Sequence, residues 1–513
     1  MADHKKPPAK GDHPPDPEVR DAPLAMTGEE FRRVGHDLVE RIAGFLDSLP
    51  QRPVTTGESV EAIRAHLGQG TLPAHGTEAG TLLREAAGLL FDHSLFNGHP
   101  RFMAYITSSA APIGALGDLL AATINANGGG WNLSPMASEI EGQAVRWIGE
   151  LVGFPTGGGL MVSGGNMANF VGFLAARRAR SDWDLRTAGM GAAPAQPLVY
   201  TSADTHTWIQ KATDLFGLGT DAIRWVDTDD QRRMRPDLLQ EMIVTDLQEG
   251  HLPFCVVGTA GSVGTGAVDP LPEIAAVCRR HDLWFHVDGA YGALAAALPE
   301  ASRDLKGLSQ ADSLALDPHK WLYTPIEAGC TLVRHRQHLV DAFSYVPSYY
   351  NFSADEPEPP TNYYELGMQN SRGFRALKVW LGLRHAGREG IAQMIRDDIR
   401  LAGDLDELVA ATDELEPHSS NLSITTYRFV PADLRGRDDA ATYLNELNQE
   451  LLNRMQAGGE AFISNAVVGD RYLLRACVVN FRTTRADMEA LVEITTRLGR
   501  QVDTEMRPAE LRR

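Results

Sequence analysis

Lys320 is the first residue whose position suggests chemistry. It lies in Asp-Pro-His-Lys-Trp at residues 317–321, directly after the apolar run Leu-Ala-Leu, which predicts a buried strand. Ligands of open parallel sheets bind beyond the carboxyl ends of the strands, and lysine is the residue that forms a Schiff base with an aldehyde cofactor. Taken alone, the pattern fits a surface lysine after a strand at least as well.

A second strand end, 32 residues earlier, carries Asp288 in the segment Leu-Trp-Phe-His-Val-Asp-Gly-Ala-Tyr at 283–291. Pyridoxal 5'-phosphate (PLP) accepts electrons only while its ring nitrogen holds a proton, and a fixed carboxylate keeps that proton in place. Such a desolvated hydrogen bond contributes about 1.5–3 kcal/mol. An aspartate that only caps the next helix is the alternative. Asp288 and Lys320 together favour a PLP site, where the small Ala290 would let the ring lie flat.

Two weaker sequence signals suggest a phosphate-binding turn and a histidine that stacks on a cofactor ring. Ser-Gly-Gly-Asn at 163–166 stands between a short apolar run and a helical pattern, where glycines let backbone N–H groups approach a phosphate. His206 could stack on a cofactor ring and interact with a carboxylate, although a lone histidine is more often structural. His281, His286 and Asp288 have no supporting ligand cluster, so we predict no metal site.

These residues need elements that bring strand ends together. Short apolar runs alternate with helical patterns, which predicts an α/β fold with a mostly parallel central sheet flanked by helices. A helix is predicted over 27–49, a long unpatterned loop over 343–364, and a smaller α+β unit after about residue 414. The predicted strands are 198–201, 254–258, 283–287, 313–316, 330–333, 422–429 and 472–480.

In this order the segments resemble the PLP-dependent group II amino-acid decarboxylases, the family of aromatic-L-amino-acid, tyrosine, tryptophan, histidine and glutamate decarboxylases. The similarity runs from about residue 27 to about residue 500, and Asp-Pro-His-Lys-Trp together with His-Val-Asp-Gly-Ala-Tyr is specific to the group. Segments 99–105 and 374–380 also resemble family blocks. The resemblance implies an aspartate-aminotransferase-like (fold-type I) PLP enzyme, a homodimer with its sites at the subunit interface.

The resemblance also implies a set of cofactor-binding residues. Lys320 would bond to PLP, Asp288 would pair with the ring nitrogen, and His206 and Ala290 would lie on opposite faces of the ring. The other members implied are Gly165 and Asn166 at the phosphate, Ser262 near the cofactor, and His319 beside the Schiff base. Asn166 replaces a frequent serine, and Val263 follows Ser262 where a second hydroxyl is frequent.

The long loop contains Tyr349, in Pro-Ser-Tyr-Tyr at 347–350. In the family a loop tyrosine closes over the neighbouring subunit's site and helps to protonate the carbon that has lost carbon dioxide. Related aldehyde synthases tend to carry phenylalanine there, so Tyr349 favours plain decarboxylation. The catalytic residues implied are Lys320, His206, Tyr349 and Asp288; an ordinary tyrosine in a tyrosine-rich loop is the alternative.

Four residues are expected at the substrate: Tyr105, Ser108, Ser371 and Arg475. By resemblance, Tyr105 stands where glutamate-type members carry glutamine, and Ser371 matches a position that is serine in plant members acting on phenolic substrates. Arg475 matches a family arginine near the site, and Gly-Gly-Gly at 128–130 replaces bulkier pocket residues.

The predicted function is decarboxylation of an aromatic L-amino acid (tyrosine, dopa, phenylalanine or tryptophan) to the amine and carbon dioxide, which makes the chain a lyase of carboxylic acid metabolism. The alternatives are an aldehyde synthase, a decarboxylase of a non-aromatic amino acid such as glutamate, another PLP reaction such as transamination, and a non-catalytic protein with this fold.

Composition limits the partners and the location. The net charge of −19 disfavours nucleic acid, and four scattered cysteines indicate a reducing compartment. No apolar run reaches the roughly 18 residues of a membrane helix, and residues 1–23 lack the apolar middle of a signal peptide. We expect a cytoplasmic enzyme without a membrane partner. The predicted domains are a disordered tail 1–25, an N-terminal helical dimerisation segment 26–110, a large PLP-binding domain 111–395 and a small C-terminal domain 396–513.

Overall fold

The computed structural model of the chain describes residues 22–345 and 360–512. The chain forms two compact units: the first comprises the chain up to Gln51 together with Glu58–Ser94, and the second comprises Arg52–Gly57 and the chain from Leu95 onward. Among the described helices, none is both long and apolar enough to cross a membrane.

The helices are α1 Gly28–Ser48, α2 Val60–Leu67, α3 Ala79–Asp92, α4 Pro112–Ile124, α5 Pro135–Val152, α6 Gly165–Ala179, α7 Leu185–Ala188, α8 Trp208–Leu215, α9 Pro236–Gln248, α10 Leu271–Arg280, α11 Arg303–Lys306, α12 Gln337–Phe343, α13 Ala376–Ala410, α14 Ala441–Gly458 and α15 Arg485–Met506. The strands are β1 Phe102–Met103, β2 Gly158–Val162, β3 Pro197–Ser202, β4 Ile223–Val226, β5 Leu252–Thr259, β6 Trp284–Asp288, β7 Ser313–Leu316, β8 Gly329–Val333, β9 Leu415–Asn421, β10 Ile424–Phe429, β11 Phe462–Val468 and β12 Arg471–Cys477.

The first unit contains helices α1 to α3. Helix α1 begins where the sequence predicted, since the Thr27 side chain accepts a hydrogen bond from the Glu30 amide at 3.1 Å. Phe45 of α1 stacks on Phe91 of α3 with 4.5 Å between ring centroids. Only Val34 of the 21 residues of α1 is buried by the part of the chain that the structure describes.

The second unit is built on a seven-stranded sheet of order β2-β8-β7-β6-β5-β3-β4. The five strands β3 to β7 all run parallel to one another, and β8 is antiparallel to both β7 and β2. The predicted mostly parallel sheet is therefore confirmed. Strands β3, β6 and β7 are buried along their whole length, as parallel strands covered on both faces must be.

The C-terminal part of the second unit contains a five-stranded sheet of order β1-β11-β12-β10-β9. The sequence predicted β10 and β12, but not β9, β11 or the two-residue β1, which pairs in parallel with β11 across a long stretch of chain. Helix α13 spans 35 residues and contains one non-helical residue, Gly387, with φ of +67°, a conformation that glycine adopts without strain.

Candidate active site

A cavity of about 290 Å³ lies at the carboxyl ends of the parallel strands. Thr259 ends β5, Asp288 ends β6 and Asp317 directly follows β7, and all three line the cavity. This is where open α/β sheets bind ligands. Seven residues predicted from the sequence line it: Gly165, Asn166, His206, Asp288, Ala290, His319 and Lys320.

Lys320 lies in the turn after β7. Its backbone amide donates to the Asp317 carbonyl at 2.8 Å, and its Nζ lies 3.7 Å from Asp317 Oδ2. The following residues anchor this turn, because Trp321 Nε1 and Tyr323 Oη both donate to Asp398 Oδ2, at 2.8 and 2.6 Å. The amine is therefore held at the cavity by a buried framework on either side.

Asp288 faces the same cavity with both carboxylate oxygens already bonded. Trp208 Nε1 donates to Oδ2 at 2.8 Å, and the Ala290 amide donates to Oδ1 at 3.2 Å. Because β6 is buried, the carboxylate is shielded from water and its direction is set by these two donors.

His286, two residues before Asp288 on the same strand, has a structural environment. Its Nδ1 lies 2.7 Å from Ser313 Oγ and its Nε2 lies 2.8 Å from Asn169 Oδ1. Complete burial lowers the pKa of His286 to about 4, so the imidazole is neutral near pH 7. Both ring nitrogens are engaged by protein groups.

The glycine turn before α6 brings backbone against the cavity. The Gly165 amide donates to Asp317 Oδ2 at 2.9 Å, and a Cβ at this position would lie 2.9 Å from both Ala290 Cβ and Asp317 Oδ2. Only glycine fits without displacing these neighbours. Gly165 and Asn166 form the first turn of a 15-residue helix, whose amides lack intrahelical acceptors and favour an anion.

His206 lies on the cavity wall as a neutral ring. Burial lowers the pKa of His206, and the field of Lys320 adds to this, while Asp288 opposes it. Its Nδ1 accepts from the Trp208 amide at 3.3 Å, which leaves the proton on Nε2. The ring can therefore stack and donate, but it carries no charge near neutral pH.

The polar groups of this cavity suit PLP. The aldehyde of the cofactor is matched by a lysine amine, and its ring nitrogen by a fixed, buried carboxylate. Its phosphate is matched by a helix N-terminus whose first residue must be glycine. His319 adds a ring on the wall, and its Nδ1 lies 2.9 Å from Asp317 Oδ1 and 3.2 Å from the Ala328 amide nitrogen.

The remaining predicted residues lie outside the cavity lining that the described chain provides. Ser262 is buried between two lining residues, but its hydroxyl lies 3.1 Å from Thr265 Oγ1. Ser108 Oγ donates to the His319 carbonyl at 2.7 Å, so this hydroxyl contacts backbone next to Lys320. Tyr105 is 56% exposed and Ser371 is exposed. Tyr349 falls outside the described residues.

Arg475 is buried, with only 2% of its surface exposed, yet its guanidinium is only partly bonded. Nη1 donates to the Tyr105 carbonyl at 2.9 Å and to Ser464 Oγ at 3.0 Å. Nε and Nη2 have no hydrogen-bond partner among residues 22–345 and 360–512. Buried donors without acceptors are rare, which marks Arg475 as a residue able to receive a ligand oxygen.

The glycines at 128–130 serve backbone packing. A Cβ on Gly129 would overlap the Asn370 carbonyl, and the Asn127 side chain accepts from both the Gly129 and Arg372 amides, at 3.0 and 3.1 Å. These contacts fix the segment that carries Ser371, a reason for the glycines that the sequence did not indicate.

Sequence reasoning did not assign Asp317, Asn169 or Trp208 to the cavity region. Asp317 stands inside the quoted lysine motif and could have been singled out there. Asn169 and Trp208 lie on helices and contact β6 across 117 and 80 residues, respectively. No local pattern signals such distant contacts.

Comparison with known proteins agrees with this site. A family model described as the pyridoxal-dependent decarboxylase conserved domain matches residues 67–425. An aromatic-L-amino-acid decarboxylase of Bacillus atrophaeus is 33% identical over 467 residues, covering 91% of this chain and 94% of that protein. A phenylacetaldehyde synthase of a Rosa hybrid cultivar is 31% identical, covering 88% and 91%. The crystal structure of Oryza sativa TDC with PLP and tryptamine has a TM-score of 0.86 at 27% identity, covering 95% of this chain and 100% of that chain.

The chain therefore belongs to the pyridoxal-dependent decarboxylase family. The predicted fold-type I architecture, the PLP cofactor and the amino-acid decarboxylase class are confirmed. It is a lyase of amino-acid metabolism.

Proposed function

We propose that this enzyme decarboxylates an aromatic L-amino acid to its amine, with Lys320 and Asp288 as its central residues. The observation that carries the proposal is the Asp288 carboxylate, bonded by Trp208 Nε1 and the Ala290 amide, facing the same cavity as the Lys320 amine. A relative that is an aromatic-L-amino-acid decarboxylase supports the aromatic side chain.

Each cofactor contact is assigned to one group of this chain. Lys320 would bond to the aldehyde carbon, Asp288 would accept a hydrogen bond from the protonated ring nitrogen, and the start of α6 at Gly165 and Asn166 would hold the phosphate. His206 and Ala290 enclose the ring, with Ser262 and His319 near its edge. When bound, PLP supplies the electron-accepting ring that lets the bond from Cα to the carboxylate break.

The protein groups control where protons go. Neutral His206 donates through Nε2, because its Nδ1 is occupied by the Trp208 amide. Tyr349, in the loop predicted from the sequence, would supply a proton to Cα once carbon dioxide has left, and the Lys320 amine would displace the product amine.

Arg475 binds a substrate oxygen in this proposal. Nε and Nη2 lie on one edge of the planar guanidinium, the geometry that holds a carboxylate through two hydrogen bonds. Both are without a partner among the described residues. Tyr105, Ser108 and Ser371 are assigned to the side-chain pocket, completed by a second subunit.

A homodimer fits two uncovered apolar surfaces. Helix α1 exposes Phe31, Val39 and Ile42, and helix α4, in the other unit, exposes Leu116, Leu119, Leu120 and Ile124. Apolar surface of this extent is typical of an interface. A second copy of the chain is the proposed occupant. Light scattering should report a dimer, and Leu120→Asp should shift it toward monomer; a monomeric parent protein would contradict the proposal.

We also assign the enzyme to the cytoplasm. All four cysteines are free thiols and buried, which suits a reducing compartment.

The test is a product screen by mass spectrometry. The holoenzyme is incubated with tyrosine, dopa, phenylalanine, tryptophan, 5-hydroxytryptophan and glutamate, and amine, aldehyde, ammonia and hydrogen peroxide are measured. Amine from an aromatic member is expected; amine from glutamate alone would overturn the substrate assignment.

Aldehyde synthesis is the second candidate, because a phenylacetaldehyde synthase is among the relatives. Tyr349→Phe separates the two activities. It should divert part of the product from amine to aldehyde, whereas aldehyde from the parent enzyme would favour the second candidate.

A further inference from the structure

Trp208 contacts the site in a way that neither the motifs nor the comparisons assign. It is the first residue of α8, is fully buried, and donates from Nε1 to Asp288 Oδ2 at 2.8 Å. The other oxygen of Asp288 accepts from the Ala290 amide at 3.2 Å. The indole N–H is thus the side-chain donor to this carboxylate among the described residues.

The indole is itself held firmly. Its ring meets His286 edge-on, with 5.7 Å between centroids, and meets Phe173 edge-on at 6.2 Å. Its backbone amide donates to His206 Nδ1 at 3.3 Å. Trp208 therefore contacts two of the groups assigned to the cofactor ring, Asp288 through its side chain and His206 through its backbone.

We propose that Trp208 is a positioning residue, whose indole N–H fixes the Asp288 carboxylate in the orientation that accepts a hydrogen bond from the protonated ring nitrogen of PLP. The inference rests on the role proposed for Asp288. The indole N–H occupies one lone pair of Oδ2, and the carboxylate, which lines the cavity, keeps further lone pairs that can accept another hydrogen bond. Without that donor, the carboxylate can turn about its side-chain bond and its hydrogen bond to the ring weakens.

The test compares PLP with 1-deaza-PLP, in which a carbon replaces the ring nitrogen, so only PLP can bond to Asp288. Apparent dissociation constants are measured by absorbance titration of the full-length apoenzyme. The parent enzyme should prefer PLP. Trp208→Phe, which keeps an aromatic ring and removes the donor, should lower that preference about ten-fold while the affinity for 1-deaza-PLP stays nearly constant.

Trp284→Phe is the matched control. Trp284 is also buried, and its Nε1 donates to Ser313 Oγ at 2.8 Å. This variant removes an indole N–H of the same kind that does not bond to Asp288, so the preference for PLP should stay at the parent value. Equal weakening of both ligands by Trp208→Phe would show a merely structural role and overturn the proposal.

Trp208→His provides a second measurement, because a ring N–H donor remains in a smaller side chain. Trp208→His should retain a greater preference for PLP over 1-deaza-PLP than Trp208→Phe does. If only Trp208→His folds, a retained preference for PLP supports the proposal and a lost preference overturns it. A parent enzyme that binds both ligands equally would refute the role of Asp288 instead, which separates the two failures.

Discussion

The site has a cofactor side, formed by the residues assigned to PLP, and a substrate side, formed by the residues assigned to the amino acid. The two sides differ in how far one chain completes them. On the cofactor side, Asp288 and Gly165 are buried and bonded to named partners. On the substrate side, Tyr105 is 56% exposed, Ser371 is exposed, and two donor nitrogens of the buried Arg475 have no partner among the described residues. The central sheet therefore positions the residues assigned to the cofactor, whereas the residues assigned to the substrate keep surfaces or donors that the described residues neither cover nor pair.

Loss of Lys320 should have the largest effect on the cofactor side. Lys320→Ala removes the amine that bonds to PLP, so turnover should fall roughly a thousand-fold or more, and the absorbance band of lysine-bound PLP should disappear. Parent-like turnover together with a parent-like spectrum would refute the assignment of Lys320.

Asp398 tests the framework that anchors the lysine turn. Burial raises the pKa of Asp398 from 3.8 to about 7. A carboxyl whose pKa is raised by folding stabilises the protein most below pH 4, and this contribution is lost as the pH rises to about 7. Between pH 4 and pH 7, the free energy of unfolding of the parent protein should fall by up to about 4 kcal/mol relative to that of Asp398→Asn. Chemical unfolding at a series of pH values measures this difference. Parallel pH profiles for the two proteins would refute a raised pKa.

Gly165→Ala should weaken cofactor binding and leave the residues assigned to the substrate unchanged. The added Cβ would lie 2.9 Å from Ala290 Cβ and Asp317 Oδ2, at a cost of about 1–3 kcal/mol. Affinity for PLP should fall, as measured by titration of the apoenzyme. Gly191→Ala is the control, since its Cβ would meet nothing within 4 Å. Equal behaviour of the two variants would contradict a close approach at Gly165.

Arg475→Lys should have the smallest effect and should be confined to the substrate side. The charge remains, but the planar pair of donors is lost, so KM should rise about ten-fold with an unchanged spectrum of bound PLP. An altered spectrum with parent-like KM would place Arg475 on the cofactor side instead.

The sequence predicts residues in local motifs, but it does not reveal contacts between residues that are far apart in the chain. Lys320 and Asp288 were predictable because Asp288 ends one short apolar strand and Lys320 lies in the turn just after another, and the motifs around them are local. The bond from Arg475 to Tyr105 spans 370 residues, and the bond from Trp208 to Asp288 spans 80. Such contacts arise from packing of distant elements, so no spacing in the chain reveals them.

Strand prediction failed for a similar reason. Strand β9 has a mostly polar sequence, since it pairs at the edge of its sheet, where side chains face water. Strand β1 has two residues and exists only because β11 lies beside it. The domain boundaries predicted from the sequence stay a prediction.

The most direct test of the central claim is turnover of an aromatic L-amino acid in D2O by the holoenzyme, followed by nuclear magnetic resonance of the product. We predict one carbon dioxide per amine and a single solvent deuterium on the carbon that bore the carboxylate, with no product from Lys320→Ala. An aldehyde released with ammonia and hydrogen peroxide, or an amino acid recovered without loss of its carboxylate, would contradict it.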